Sequence, residues 1–473
     1  MSKTCTMPTV FPVTCHTDYV GIGTTFVAIK GMKTDGILFI KGAIDKGATH
    51  IIIEEQVILP DNIIELCVSR NVSIEKVKNS RAALAILSAT AAGFPAQKLT
   101  MFGITGTKGK TTTSALLAHI LKSAGYKTAL LSTACNTIDE NIFKAPLTTA
   151  QPDYLHQFLK LCVENGVTHC VMEVAAQALS LHRIDTIQFD GVIFTNFARE
   201  HLEFYDSLES YFNAKKKIFA YTKASGPILL NGDDSWCANF SDSYFYFGQN
   251  KQHTIYGHMV NQAIPMQGTI HYKNSIISVT HNRLSGVYNF YNCMAATGMA
   301  LLYGISPDIC EKSLNSFVGV PGRFEAYSLK NDSICVIDLA HNPLSFEAIL
   351  STTRMITNHL IVLFGAGGER DAGRRPLMGA LAAQYADTVI LTTDNPRSES
   401  PMIIVQDILF GIASADQHKV IVELDREIAI TKAYGLSTKG SIILLLGKGN
   451  EEHQIIGNQK MFFSEKAIIS QWL

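Results

Sequence analysis

The sequence predicts an α/β protein: a central phosphate-loop sheet of the doubly wound kind, a smaller α/β domain before it and a Rossmann-like α/β domain after it. Three observations carry this. A chain of 473 residues is too long for one core and suggests about three domains. Short apolar runs recur between helical stretches, as buried parallel strands do. Residues Leu99 to Gly125, LTMFGITGTKGKTTTSALLAHILKSAG, read as strand, glycine-rich turn and helix.

That stretch organises the rest. Leu99 to Ile104 reads as a buried strand, and a helix from about Thr111 to Ser123 ends at Gly125. Between them stand Gly106, Thr107, Lys108, Gly109, Lys110 and Thr111. Glycines let the backbone close on an anion, and the unpaired N–H groups and dipole of a helix start point at it. Lys110 would reach terminal phosphates and the Thr111 hydroxyl would coordinate Mg²⁺, with Thr112 completing the turn. The spacing G-x-x-G-K-T is shorter than the usual G-x-x-x-x-G-K-[ST]. A glycine turn before an ordinary helix is the plain alternative. A lysine followed by three threonines at a helix start argues instead for a nucleoside triphosphate such as ATP.

Taken in order, residues 1–95 alternate strands (Thr25–Ile29, Ile51–Glu54) and helices (Phe39–Lys46, Ser80–Ala92), a small α/β domain. Phe94 to Lys98 reads as a linker. Residues 96–320 form the central domain, with strands at Lys127–Ser132, His169–Val174, Asp190–Thr195 and Pro227–Leu230, and a more polar strand-rich patch near 243–281. Pro321-Gly322 opens a third domain, 321–473, with strands at 359–364, 388–393 and 441–446. Hydrophobic content of 47% and charged content of 17% are ordinary for a globular protein, and a net charge of −1 gives no general attraction to nucleic acid. Ten cysteines without a C-x-x-C pair fit free thiols in a reducing cytoplasm. No apolar run reaches membrane-spanning length.

Two strand ends carry further chemistry. His169 to Val174 reads as a core strand ending in Glu173, and ligands in parallel sheets sit beyond such ends. Beside a triphosphate, Glu173 is most simply a Mg²⁺ ligand, with a surface glutamate as the alternative. His201 follows the next strand and is either a packed histidine or a metal or phosphate contact. Tyr211 and Lys215 share one helix face, whereas Lys216 and Lys217 point elsewhere.

Together these motifs resemble the Mur ligases of peptidoglycan synthesis over nearly the whole chain. The resemblance rests on the phosphate loop, Thr148-Thr149, Met172-Glu173-Val174 with His182-Arg183, Thr195-Asn196 with His201-Leu202, and Ala214-Lys215. It continues through Leu284 to Asn292, Gly322 to Glu325, Asp338 to Pro343, Gly367 to Asp371, Asp394 to Arg397 and Gly447 to Glu451. It implies an ATP-dependent ligase that phosphorylates a carboxylate and passes the acyl group to an amino acid. By the same resemblance Glu173, His201 and a carbamylated Lys215 hold Mg²⁺, with Thr111. Asn289, Asn292, Arg323, Asp338 and His341 contact ATP. Thr17, Thr148, Thr149 and Arg183 contact the acceptor, a UDP-MurNAc-dipeptide. Arg370, Asp394, Asn395, Pro396, Arg397, Gly447 and Glu451 contact the amino acid. Asp-Asn-Pro-Arg resembles the signature of members that take meso-diaminopimelate, and the planar fork of Arg397 suits a distal carboxylate that lysine lacks. A monomer without membrane insertion is expected.

The sequence departs from the family pattern at four places. Lys108 replaces an asparagine, Ala175-Ala176-Gln177 replace Ser-Ser-His, His16-Thr17-Asp18 replace Asp-Ser-Arg, and Leu339 replaces a tyrosine. Two of these touch the acceptor side, so a family member with another carboxylate acceptor, or the lysine-adding form, stays open. The folylpolyglutamate or cyanophycin branch is a related possibility, with Phe26 to Gly31 arguing against folate, and a regulatory module is disfavoured by retention of Lys110, Glu173, His201 and Lys215.

Overall fold

The structure is a computed structural model and describes residues 3–31, 34–199, 204–238 and 240–473. The chain forms two compact units. The first is Met1–Gly257 with Ile270–Ile277 and Tyr291–Ser313; the second is His258–Thr269, Ser278–Phe290 and Leu314–Leu473.

The first unit is built on β1 (Thr100–Thr105), α1 (Lys110–Ser123), β2 (Thr128–Leu131), α2 (Pro152–Glu164), β3 (His169–Glu173), β4 (Gly191–Phe194), α3 (Leu208–Lys216) and β5 (Ile228–Asn231). The strands pair in parallel in the order β2-β3-β1-β4-β5. Every residue of β2, β3, β4 and β5 is buried, which is why their sequences read as unbroken apolar runs. The chain winds to one side of β1 and, after β3, crosses to the other. The carboxyl ends of β1, β3 and β4 therefore meet at the switch point where ligands bind in such sheets.

The same sheet reaches further than its parallel core. Beyond β2 lie the antiparallel strands Asn136–Ile138 and Asn141–Phe143, then Lys3–Cys5 in parallel at the edge. Beyond β5 lie Phe245–Gly248, Ile255–Asn261, Met266–Tyr272 and Ser275–His281, completing twelve strands. The polar patch expected near 243–281 thus continues the central sheet. Its polarity has a plain cause: Ser275–His281 alternates buried and exposed residues, so one of its faces is wet.

A separate parallel sheet of Val13–Thr14, Thr25–Val27, His50–Glu54 and Ser73–Val77 precedes it. Its helix Ser80–Ala91 starts at Asn79, whose side chain accepts from the N–H groups of Arg81 and Ala82. Asp153, at the first turn of α2, accepts from the Thr14 hydroxyl at 2.7 Å and the Cys15 N–H at 3.1 Å, tying this sheet to the central one.

The second unit contains β6 (Ile334–Asp338), β7 (Leu360–Phe364), β8 (Thr388–Leu391) and β9 (Ile442–Leu446), parallel in the order β6-β9-β7-β8. Glu325–Ser328 pairs antiparallel with β6, and Val420–Val422 extends the other edge. All ten cysteines are free thiols, and no described helix is long and apolar enough to cross a membrane.

One buried histidine links this core to pH. His156 on α2 is 1% exposed, with Nε2 2.8 Å from the Thr186 hydroxyl and Nδ1 without a partner. Burial lowers its pKa to about 4. Below about pH 6.5 the unfolded chain takes up a proton that the folded chain refuses, so the stability is complete above that pH and falls as pH drops towards 4. The loss expected from this group is about 3 kcal/mol. Urea midpoints at pH 7 and pH 4.5 should differ less in His156→Leu than in the intact chain; equal pH dependence would contradict the assignment.

Candidate functional site

The site begins where β1 ends. Gly106 has φ +139° and Gly109 has φ +81°, conformations that side-chain-bearing residues rarely adopt. A Cβ on Gly106 would overlap the Thr195 hydroxyl, and one on Gly109 the Asn292 side-chain oxygen. The loop between them is held by residues just past β4. The Asn196 amide both accepts from the Lys108 N–H (2.9 Å) and donates to the Lys108 carbonyl (3.0 Å). Thr195 donates to that carbonyl at 2.6 Å, the Thr107 N–H donates to the Asn196 carbonyl at 2.9 Å, and the Ala198 N–H donates to the Thr107 hydroxyl at 3.0 Å. The helix then opens at Lys110, one residue earlier than the sequence predicts, with Thr111 and Thr112 buried in its first turn.

Two lysines converge on this loop. Lys110 Nζ donates to the Gly106 and Thr107 carbonyls at 2.9 Å each. Lys215 Nζ, on a side chain only 2% exposed, donates to the same Gly106 carbonyl at 2.7 Å. It also lies 4.6 Å above the Tyr211 ring, so the expected sharing of one helix face holds. Lys216 and Lys217 are exposed.

Glu173 ends β3 with its carboxylate fully buried. It accepts from the Thr133 N–H at 2.8 Å through Oε1 and from the Thr133 hydroxyl at 3.1 Å through Oε2. The Thr133 hydroxyl also lies 3.0 Å from that of Thr148. Thr149 donates to the Glu173 carbonyl (2.9 Å), and Arg183 donates through Nη1 to the Thr149 carbonyl (2.8 Å) while its buried Nε has no partner. Lys110, Thr148, Thr149, Arg183 and Lys215 line one cleft of about 180 Å³ together with Ala175, Ala176 and Gln177. Thr17 does not line that cleft, and His201 lies outside the described residues.

For Mg²⁺, the Glu173 carboxylate and Thr111 hydroxyl are hard oxygen donors of the right chemistry. Among the described residues no group of three or more His, Cys, Asp or Glu side chains could hold a metal. Lys215 joins such a set only as a carbamate, because an ammonium repels the cation.

α4 (Val287–Leu302) carries Asn289 and Asn292, both buried; Asn289 donates to the Ser285 carbonyl and Asn292 accepts from the Thr113 hydroxyl. In the second unit, Asp338 accepts from the N–H groups of Phe324 and Ala340 at 2.7 Å each. Burial pushes its carboxyl up, opposed by the nearby Arg323 guanidinium. His341 is exposed and bonds the Leu339 carbonyl at 2.7 Å. Past β8 and β9, Asp394, Asn395 and Glu451 gather around an ammonium: Asn395 donates to Glu451 at 2.9 Å, and Lys448 Nζ lies 3.3 Å from Asn395, 3.5 Å from Asp394 and 3.6 Å from Glu451. Pro396 follows buried Asn395, and Gly447, at φ +105°, opens the turn that carries Lys448. Arg397, at φ +52°, donates to the Gly368 carbonyl at 2.7 Å, and Arg370 is exposed.

Sequence reasoning missed two of these residues. Lys448 is wholly buried, and it stood in the sequence only as part of the Gly447 to Glu451 motif, with no role assigned. Thr133 belongs to no spacing pattern and becomes visible only through its contact with Glu173.

A parallel sheet with a glycine loop, two lysines and a buried carboxylate at its switch point defines a phosphate-loop nucleotide-binding fold. Residues 104–300 match the Mur ligase middle domain and residues 322–449 the Mur ligase glutamate ligase domain. The chain is 36% identical over 459 residues to the UDP-N-acetylmuramoyl-L-alanyl-D-glutamate--2,6-diaminopimelate ligase of Clostridium perfringens, covering 94% of this chain and 91% of the relative. It is 36% identical to the ligase of the same name from Aquifex aeolicus, covering 98% and 93%. Among solved structures, a ligase of that name superimposes with a TM-score of 0.66 at 25% identity, covering 98% of this chain and 94% of that one. The MurF ligase of Thermotoga maritima, in complex with ADP, shares the fold with a TM-score of 0.64 at 20% identity, covering 93% and 94%. The chain belongs to the Mur ligase family.

Because a Cβ on Gly106 meets Thr195, Gly106→Ala should deform the loop at a cost of about 1–3 kcal/mol. In thermal melts, ATP should stabilise the intact protein and fail to stabilise this variant; equal stabilisation of both would contradict the geometry.

Proposed function

We propose that this chain joins meso-diaminopimelate to UDP-MurNAc-L-Ala-D-Glu with ATP, the activity named for its bacterial relatives. The observation that carries the reading is the single cleft where Lys110 and Lys215 of the phosphate site meet Thr148, Thr149 and Arg183. Two anions, a carboxylate and a triphosphate, must approach there, so catalysis is mainly charge neutralisation and positioning. Lys110 and the loop N–H groups bind and orient the β- and γ-phosphates. Arg183 and the two threonines hold the acceptor so that its carboxylate oxygen faces the γ-phosphorus. The new oxygen–phosphorus bond forms as ADP leaves. The amine of the amino acid then attacks the acyl carbon, loses a proton and expels phosphate. Thr111, Glu173, His201 and a carbamylated Lys215 would hold Mg²⁺, which would supply further neutralisation of phosphate charge.

Glu451 suits the distal ammonium of diaminopimelate and Arg397 its distal carboxylate, with Arg370, Asp394, Asn395, Pro396 and Gly447 around the same substrate. Asn289, Asn292, Arg323, Asp338 and His341 serve the nucleoside, and Thr17 the uridine side of the acceptor. Three domains, 1–95, 96–320 and 321–473, would divide acceptor, ATP and amino acid among them, a division supported by three separate larger sheets. A reaction in the cytoplasm fits these soluble substrates. A second reading, another carboxylate acceptor, is favoured by Ala175, Ala176 and Gln177 in the cleft wall.

Phosphate release with UDP-MurNAc-L-Ala-D-Glu and ATP should require meso-diaminopimelate and should not occur with L-lysine. Arg397→Lys should raise the KM for diaminopimelate about 10–100-fold, since a bidentate charged contact contributes about 1.5–3 kcal/mol. Release with lysine instead would overturn the amino-acid assignment. Release with neither would overturn the acceptor in favour of the second reading.

A further inference from the structure

We propose that Thr133 is a positioning residue that holds the Glu173 carboxylate in its metal-binding orientation and ties it to the acceptor pocket. This rests on the reading of Glu173 as a Mg²⁺ ligand. Glu173 is 0% exposed, and an ionised carboxylate at that depth needs donors on its oxygens. Thr133 supplies one to each: its N–H to Oε1 at 2.8 Å and its hydroxyl to Oε2 at 3.1 Å. Two bonds from one residue fix both the rotation of the carboxylate and its distance from the β2 end. Each oxygen keeps a lone pair for a cation.

The same hydroxyl is 3.0 Å from the Thr148 hydroxyl in the cleft wall. It has one hydrogen and two acceptors, Glu173 and Thr148, so a substrate group that engages Thr148 bears on how firmly Glu173 is held. Thr149 makes a parallel link through the backbone, accepting from the Ala175 N–H at 3.0 Å and donating to the Glu173 carbonyl at 2.9 Å. Metal ligand and acceptor contacts therefore share one hydrogen-bonded unit. Thr133 itself is exposed, so replacing it opens no cavity in the core.

The test measures Mn²⁺ binding by electron paramagnetic resonance in the presence of the β,γ-imido analogue of ATP, with thermal melting as a control on folding. Thr133→Val keeps the N–H and removes the hydroxyl; it should weaken Mn²⁺ binding by about tenfold or more, the usual effect of losing a partner of a metal ligand. Thr133→Ser should restore binding to near that of the intact protein, which a purely steric role would not predict. Glu173→Gln run in parallel separates the two levels. If Glu173→Gln weakens binding and Thr133→Val does not, the positioning role is overturned and the ligand stands. If Glu173→Gln leaves binding unchanged, the ligand reading fails and the role of Thr133 fails with it. Should Thr133→Val not fold, Thr133→Ala carries the same comparison.

Discussion

The Gly106 carbonyl accepts from two lysine ammoniums at once, Lys110 at 2.9 Å and Lys215 at 2.7 Å. One of them comes from the loop itself and the other from a helix that follows β4. A lysine as buried as Lys215 has given up its hydration, which costs several kcal/mol unless charge or dipoles replace it. The carbonyl and the face of Tyr211 replace part of it. A polyphosphate laid along the loop N–H groups would bring negative charge to this pair of cations. Carbamylation of Lys215 would replace its positive charge with a negative one, the form in which it could face a cation.

That arrangement depends on the loop being fixed before a ligand arrives. Asn196 clamps the backbone of Lys108 through both its N–H and its carbonyl, and Thr195 fills the space that Gly106 leaves empty. Both residues sit where β4 ends, so the sheet order β3-β1-β4 places loop, clamp and Glu173 along one edge. A preorganised array of donors costs little to reorganise during reaction, which is where such sites gain most of their effect. The fold and the chemistry are thus joined through strand order.

Much of this was legible in the sequence because the signals were local. The strand-loop-helix at Leu99–Gly125, the apolar parallel strands and Glu173 at a strand end each follow from periodicity or glycine placement. The edges were not legible. Lys3–Cys5 is too short to show a pattern, and its partner Asn141–Phe143 lies far along the chain. Spacing put Tyr211 and Lys215 on one face, yet it could not show that Lys215 reaches a carbonyl 109 residues earlier. Lys448 and Thr133 acquire meaning only from the carboxylates that folding brings to them. The resemblance to Mur ligases filled part of that gap because family motifs carry tertiary information that one sequence does not.

The most direct test of the account is calorimetric titration of the β,γ-imido ATP analogue into the intact protein and into Asn196→Ala. The clamped loop predicts one nucleotide per chain for the intact protein and affinity at least about tenfold weaker for the variant, the equivalent of losing about 1.4 kcal/mol of preorganised binding. Equal affinity in the two proteins, or no binding by the intact chain, would contradict it.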